Sequence, residues 1–170
     1  ANPCKPWDST ALATSVTRPA AITACTFKPF IMSHNFGIPI PFIEHLGFEL
    51  MRFEGGHSTV QYRAVPQHLN IFGKVHGGLL MTLMDTTMAQ AARSVQPDHG
   101  AITIEMKTSF FRPAEGTHLL RGEGRLLHRT RTLAFAEATI YDETGQACAH
   151  ATGTFKYALL PAPSSQGAHP

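Results

Sequence analysis

The chain has few cysteines, no long apolar run and no concentration of charge of either sign. Its three cysteines, Cys4, Cys25 and Cys148, are odd in number and form no CxxC pair, so neither a disulfide framework nor a zinc knuckle is indicated. No apolar run approaches the roughly 18–20 residues of a membrane span. Lys and Arg together number 14 and Asp and Glu 12, without a basic block. The sequence therefore predicts neither a nucleic-acid partner nor a membrane partner.

Common hydrolase motifs are also missing. The sequence contains no HExxH for zinc and no GxSxG nucleophile elbow, which are the usual signs of metal-dependent and serine hydrolases. Its ten histidines are mostly scattered singly, which is typical of ordinary surface or core positions. Cys148 lies in an apolar strand pattern, where a buried, unreactive thiol is expected. We predict no metal ion and no serine or cysteine nucleophile.

The 170 residues are enough for one domain with a real core and too few for two. The first 30 residues are rich in Ala, Thr and Pro and have no charged segment followed by an apolar one, so they do not resemble a signal peptide. A cytoplasmic location is the default expectation. We predict a disordered extension at 1–34, a folded domain at 35–160 and a disordered tail at 161–170.

The pattern of the folded part predicts one long helix among strands. "PIPFIEHLG" suits a short helix, and "FELMRFE" and "HSTVQYRAV" suit two strands joined at Gly55 and Gly56. A loop, "PQHLNIFGK", leads into a long helix that ends near "QPDHG". The strands "AITIEMKTSFF", "HLLRGEGRLLH", "LAFAEATIYD" and "QACAHATGTFKYALL" follow. Five or six antiparallel strands without βαβ alternation predict an α+β fold with the helix against a curved sheet.

The long helix has two unusual features, a glycine pair at its start and a single acid. Gly77 and Gly78 cost helix stability, about 1 kcal/mol each relative to Ala. They also allow a ligand to approach backbone N–H groups that have no helical partner and lie at the positive end of the helix dipole. Asp85 lies within about 20° of Gly78 on the helix surface. Periodicity alone is equally compatible with a solvated Asp85, but an anion site together with a carboxylate is what acyl transfer or hydrolysis requires.

These residues form the pattern N-x5-HGG-x6-D, with Asn70, His76, Gly77, Gly78 and Asp85 at its defined positions. The pattern resembles the hotdog-fold acyl-CoA thioesterases of the phenylacetate-degradation (PaaI-like) type. "TIEMKTSFFRPA" resembles the strand that follows the central helix in that family, and "RTRTLAFAEATIYD" and "ACAHATGTFKY" resemble its last strands. The resemblance runs from about 47 to 157.

The resemblance implies a hotdog fold and hydrolysis of an acyl-CoA to a free acid and CoA, which is substrate rather than cofactor. It assigns Asp85 as nucleophile or general base, Gly77 as N–H donor to the thioester oxygen, and Asn70 and Thr103 as residues that place the water or thioester. The remaining predicted substrate-binding residues are those of the glycine motif and three arginines: His76, Gly78, Arg112, Arg129 and Arg131. Solvated hairpin charges explain Arg129 and Arg131 equally well, and for Arg112 a structural role beside Pro113 and a contact with the nucleotide end of CoA both stay open.

The resemblance also implies assembly. Gly77 and Asp85 are eight residues apart, roughly 12 Å along a helix axis, so one thioester cannot contact both in the same chain. We therefore predict a homodimer with shared sites, assembled as a homotetramer as is common in that family. Two alternatives stay open: a hotdog dehydratase acting on acyl carrier protein, and a non-catalytic acyl-CoA-binding domain. The sequence does not predict the acyl group.

Overall fold

The computed structural model describes residues 36–160. The predicted extension (1–34) and tail (161–170) lie outside the described residues, so the domain boundaries stay a prediction. In chain order the elements are α1 (Pro41–Leu46), β1 (Glu49–Glu54), β2 (His57–Arg63), a 3-10 turn (Pro66–His68), α2 (Gly77–Arg93), β3 (His99–Phe110), β4 (Leu119–Arg129), β5 (Leu133–Tyr141) and β6 (Ala147–Leu159).

The helices and hairpins begin and end where the sequence predicts. Pro41 opens α1, where its missing N–H costs no helical hydrogen bond. Gly55 and Gly56 form the turn between β1 and β2. The long helix, α2, begins at Gly77 and ends at Arg93. The predicted short helix, long helix and glycine turn are therefore confirmed.

All six strands form one antiparallel sheet in the order β1-β2-β4-β5-β6-β3. α2 packs across one face of this sheet, and its buried side chains include Leu80, Leu83, Met84 and Met88. They meet inward-facing residues of the strands such as Val60, Leu120 and Phe155. The predicted α+β arrangement, one long helix against an antiparallel sheet, is confirmed.

Two glycines of β4 allow α2 to lie close to the sheet. A Cβ atom at Gly122 would lie 2.5 Å from Thr87 Oγ1, and one at Gly124 would lie 2.7 Å from the Thr87 carbonyl oxygen. Ser58 Oγ donates a 2.6 Å hydrogen bond to that same carbonyl. The middle of α2 is thus fixed against β2 and β4. This contact also sets the distance from the sheet of Asp85, which lies two residues before Thr87.

β3 is an edge strand with an apolar exposed surface. It pairs with β6 on one side, and the opposite side has no partner among residues 36–160. Its side chains Ile102, Ile104 and Phe110 are 57%, 57% and 51% exposed. A long apolar edge favours association with another strand, because its backbone N–H and C=O groups are unpaired.

No helix within residues 36–160 is long and apolar enough to cross a membrane.

Candidate active site

The start of α2 presents a free backbone donor. His76 is the N-cap, and its Nδ1 accepts a 3.0 Å hydrogen bond from Gly78 N–H. Leu79 and Leu80 N–H both bond to the His76 carbonyl. Gly77 N–H has no partner among residues 36–160 and lies at the positive end of the helix dipole. The structure thus gives His76 a capping role and leaves the Gly77 N–H available for an anion.

Asp85 lies two turns further along α2 and is half-buried. Its Oδ1 accepts a 2.6 Å hydrogen bond from Thr103 Oγ1 of β3. Burial raises the pKa of Asp85 above its ordinary value, and the hydrogen bond from Thr103 partly opposes this increase. A carboxylate with a raised pKa is a stronger base than an exposed one, and its orientation here is fixed by one neighbouring hydroxyl.

A β-bulge in β3 follows Thr103 directly. The register between β3 and β6 shifts between Thr103 and Glu105, so Ile104 is the extra residue of the strand. Such a bulge changes which face the following side chains take. A simple alternating pattern for β3 does not predict it.

We expect the Thr103 hydroxyl to hold down the pKa of Asp85. Thr103→Val removes the donor that stabilises the carboxylate, so the pKa of Asp85 should rise further. NMR titration of the Asp85 side-chain carboxyl carbon measures this directly. Thr103→Ser, which keeps the hydroxyl, is the matched control and should titrate like the wild type. Equal midpoints for the Val and Ser variants would show that the contact has no electrostatic effect.

Asn70 has a structural role that the sequence analysis did not assign. Its Oδ1 accepts hydrogen bonds from Phe72 N–H (2.9 Å) and Lys74 N–H (3.2 Å). Its own N–H donates to the Lys74 carbonyl at 2.8 Å. Asn70 therefore closes the loop that delivers the chain to Gly77, and its side-chain NH₂ is the group left for a ligand. The spacing Asn-x-x-Gly is typical of such an Asx turn and could have indicated this role.

A cleft of about 550 Å³ lies beside α2 and contains the Asp85–Thr103 pair. One wall is α2, a second is β3, and a third is the segment 38–43. Apolar residues from all three walls line it: Ile38, Ile40, Phe42, Ile43, Met81, Ala89, Ala101 and Met106. Polar residues of α2 and β3 complete the lining: Thr82, Thr86, Gln90, Arg93 and Thr103. A carboxylate at the side of a mostly apolar cleft suits a substrate with an apolar portion.

Within one chain the two ends of the predicted site stay apart. Gly77 and Asp85 are eight residues apart in the continuous helix α2, about 12 Å along its axis. Gly77 is not among the residues that line the cleft. The ring of Phe110 lies beside Gly77, since an added Cβ there would be 3.6 Å from Phe110 Cζ. The structure of one chain therefore brings Thr103 to Asp85 but not Gly77.

The three predicted arginines lie at opposite ends of the sheet. Arg112 follows β3, beyond Phe110, and its backbone N–H donates a 3.2 Å hydrogen bond to the Cys148 carbonyl. Arg129 ends β4 and contacts Gln96 through its side chain at 3.4 Å, next to the start of β3, and Arg131 lies in the adjoining turn. β3 has twelve residues, so these ends are about 35 Å apart. One chain does not bring the three arginines together.

Two other expectations concern residues outside the cleft. Cys148 is fully buried, so its predicted burial is confirmed, and burial raises the pKa of its thiol. No group of three or more His, Cys, Asp or Glu side chains suited to a metal ion occurs in the part of the chain that the structure describes.

The chain is similar to known thioesterases. Residues 72–149 match the family model described as the thioesterase superfamily. The chain is 29% identical over 108 residues to the proofreading thioesterase EntH of Klebsiella pneumoniae subsp. pneumoniae, covering 62% of this chain and 77% of that protein.

Solved structures give the same result. A mutant of the phenylacetic acid degradation protein PaaI from Thermus thermophilus superimposes with a TM-score of 0.63 at 26% identity, covering 69% of this chain and 98% of that one. A Streptococcus mutans protein bound to acetyl-CoA superimposes with a TM-score of 0.60 at 28% identity, covering 66% and 89%.

The fold and these matches define the class: the chain is a thioester hydrolase with the hotdog fold, and its residues 72–149 match the thioesterase superfamily. Within that class it is similar to the PaaI-like hotdog thioesterases. The predicted fold and enzyme class are thereby confirmed.

Proposed function

We propose that this protein hydrolyses acyl-CoA thioesters to a free carboxylic acid and CoA, with Asp85 as the reacting carboxylate. The observation that carries the proposal is the position of Asp85, half-buried on the wall of the cleft and held by Thr103. CoA as the leaving group is suggested by the similar Streptococcus mutans protein, which was crystallised with acetyl-CoA. CoA is part of the substrate, and the chemistry needs no cofactor or metal ion.

Two reaction courses use the same residues. As a general base, Asp85 takes a proton from water while the water oxygen attacks the thioester carbonyl carbon. As a nucleophile, Asp85 attacks that carbon itself and forms an anhydride, which water then hydrolyses. In both courses the carbonyl oxygen becomes negative and accepts a hydrogen bond from the Gly77 N–H. The C–S bond then breaks and releases CoA as thiolate. We propose that the Asn70 NH₂ group helps to place the water or thioester.

The separation of Gly77 from Asp85 supports a homodimer. A thioester needs contacts of about 3 Å to both groups, and one α2 helix holds them about 12 Å apart. The exposed apolar edge of β3, with Ile102 and Ile104, supports edge-to-edge pairing. We propose two shared sites per dimer, each with Asp85 of one chain and Gly77 of its partner, and assembly of dimers into a homotetramer.

A paired β3 edge also gives the three arginines a common role. Antiparallel pairing across a two-fold axis places the Phe110 end of one β3 beside the His99 end of the partner's β3. Arg112 of one chain then lies on the same side as Arg129 and Arg131 of the partner. We propose that these side chains bind the phosphates of CoA, a group for which guanidinium is well suited, while His76 and Gly78 hold the helix start in the conformation that exposes Gly77 N–H.

The direct test is thiol release from a panel of acyl-CoA substrates. We expect the purified chain to release CoA from at least one aryl, short-chain or long-chain member, with equimolar free acid. Calorimetric binding of acyl-CoA without any release would instead identify a binding domain. If the chain neither binds nor hydrolyses any member of the panel, the proposal is contradicted.

Gly77→Val tests the backbone donor. The added side chain stands where the thioester oxygen must approach the Gly77 N–H, so kcat/KM should fall about tenfold or more. Gly77→Ala, which adds one carbon, should give a smaller loss. Gly77→Ala should not lower the melting temperature, because it replaces a glycine in a helix and the added Cβ makes an ordinary contact with Phe110. Full activity in a folded Val variant would place the oxyanion donor elsewhere.

A further inference from the structure

Arg93 is a buried cation on the wall of the cleft. It ends α2 and is 4% exposed, yet it lines the same cleft as Asp85. No carboxylate pairs with it among residues 36–160. Arginine is rarely buried without an ionic partner, because the loss of hydration is costly.

The hydrogen bonds of Arg93 leave one nitrogen free. Nε donates to the His99 carbonyl at 3.1 Å, and Nη1 donates to Gln90 Oε1 at 2.9 Å and to the Phe36 carbonyl at 3.4 Å. Nη2 has no hydrogen-bond partner among residues 36–160, and this atom is not fully buried. The free N–H groups of Nη2 are therefore the ones that the cleft can reach.

The surroundings fix this guanidinium but do not neutralise it. Its carbon lies 5.7 Å from the centre of the Phe53 ring, a cation–π contact. All three oxygen acceptors are neutral. Burial lowers the pKa of Arg93, which is the effect expected of a cation that has lost water without gaining an anion.

Three of the four buried polar side chains of α2 form a stripe that ends at Arg93. Thr86, Gln90 and Arg93 are 6%, 2% and 4% exposed, and their spacing of four and three residues places them on one face of the helix. A purely hydrocarbon acyl group would need only apolar residues in this wall, such as Ile38 and Ile40 of the wall formed by the segment 38–43. The stripe favours an acyl group with a polar far end.

The position of Arg93 relative to Asp85 defines where that end lies. Arg93 is eight residues beyond Asp85 on α2, about 12 Å along the axis between the two Cα atoms. A helical side chain leans towards the N-terminus, so the guanidinium lies nearer to Asp85 than its Cα does. A thioester that reacts at Asp85 can thus extend its acyl group along the cleft to Nη2.

We propose that Arg93 is a specificity-determining residue that binds a carboxylate at the far end of the acyl group. The preferred substrates are then CoA monothioesters of dicarboxylic acids. A carboxylate accepts hydrogen bonds from both free N–H groups of Nη2 or shares them with an ordered water. It also supplies the negatively charged partner that Arg93 lacks in the described part of the chain. This inference rests on the proposed acyl-CoA hydrolysis.

The test compares matched pairs of substrates that differ in the terminal carboxylate alone. Succinyl-, glutaryl-, adipyl- and suberyl-CoA are each paired with the unsubstituted acyl-CoA of the same carbon number. We expect kcat/KM to favour the dicarboxylic member by about tenfold or more at one chain length at least, the scale of a charge-assisted hydrogen bond. The preference should peak at the length that spans Asp85 to Arg93.

Arg93→Met is the decisive variant, because it keeps much of the buried volume and removes the charge. We expect it to abolish the preference while hydrolysis of the unsubstituted acyl-CoA is kept. Arg93→Lys, which keeps the charge without the planar fork, should retain part of the preference. If the Met variant does not fold, the same comparison is made with Arg93→Gln, which keeps an amide donor towards the Phe36 and His99 carbonyls.

Separate outcomes overturn this inference and the proposed function. Hydrolysis of the unsubstituted series without any preference for the carboxylate in the wild type overturns the role of Arg93 alone. So does a preference that is unchanged in a folded Met or Gln variant. If no thioester of either series is hydrolysed, the proposed acyl-CoA hydrolysis itself fails.

Discussion

Asp85→Asn is expected to lower kcat by at least about 100-fold, the scale of losing a general base. The amide keeps the size of the side chain and can still accept the hydrogen bond from Thr103. It can neither accept a proton from water nor attack the thioester. Binding of acyl-CoA should survive, because the cleft walls and the helix start are unchanged. Thiol release measures kcat, and calorimetry with the inactive variant measures binding.

Asp98→Asn is the matched control for this change. Asp98 is exposed, lies just before β3 and does not line the cleft, so the same chemical substitution there should leave kcat at the wild-type level. The two variants should have similar melting temperatures. Near-normal turnover by Asp85→Asn would remove Asp85 from the mechanism, whichever of its two roles was assumed.

The fold could be predicted from the sequence because each element carries a local pattern. The glycine pair fixes the start of α2, and the alternation in "AITIEMKTSFF" predicts β3. What no local pattern contains is the bulge at Ile104. The contact between Thr103 and Asp85 joins β3 to α2, so the periodicity of neither element could have predicted it, and the expectation for Thr103 came from family resemblance instead.

Arg93 shows a different reason why sequence reasoning falls short. A basic residue in the last turn of a helix normally faces water and interacts with the helix dipole, so the sequence gives no reason to place it inside. Its burial follows from tertiary contacts with Phe36, Phe53 and His99, which come from three separate segments. The stripe of Thr86, Gln90 and Arg93 at helical spacing was the one feature that could have drawn attention to it.

Mixing two chains whose activity is strongly reduced should restore activity if the sites are shared. An Asp85→Asn chain keeps a normal Gly77, and a Gly77→Val chain keeps a normal Asp85. In a mixed dimer one site combines the two normal residues and the other combines the two substitutions. Random exchange of equal amounts makes half of the dimers mixed, each with one working site in two, so about a quarter of the wild-type activity should return in a two-fold symmetric assembly.

The result depends on exchange between chains, which native mass spectrometry of differently tagged variants can measure. Chains in which Asp85→Asn and Gly77→Val are combined, mixed with the wild type, are the matched control. Each mixed dimer then pairs a normal residue with a substituted one at both sites, so activity should fall as exchange proceeds. Exchange without any recovery in the first mixture would contradict the shared site, as would an active species that sediments as a monomer. Either result would require one chain to bring an oxyanion donor other than Gly77 to Asp85, because α2 keeps those two residues about 12 Å apart.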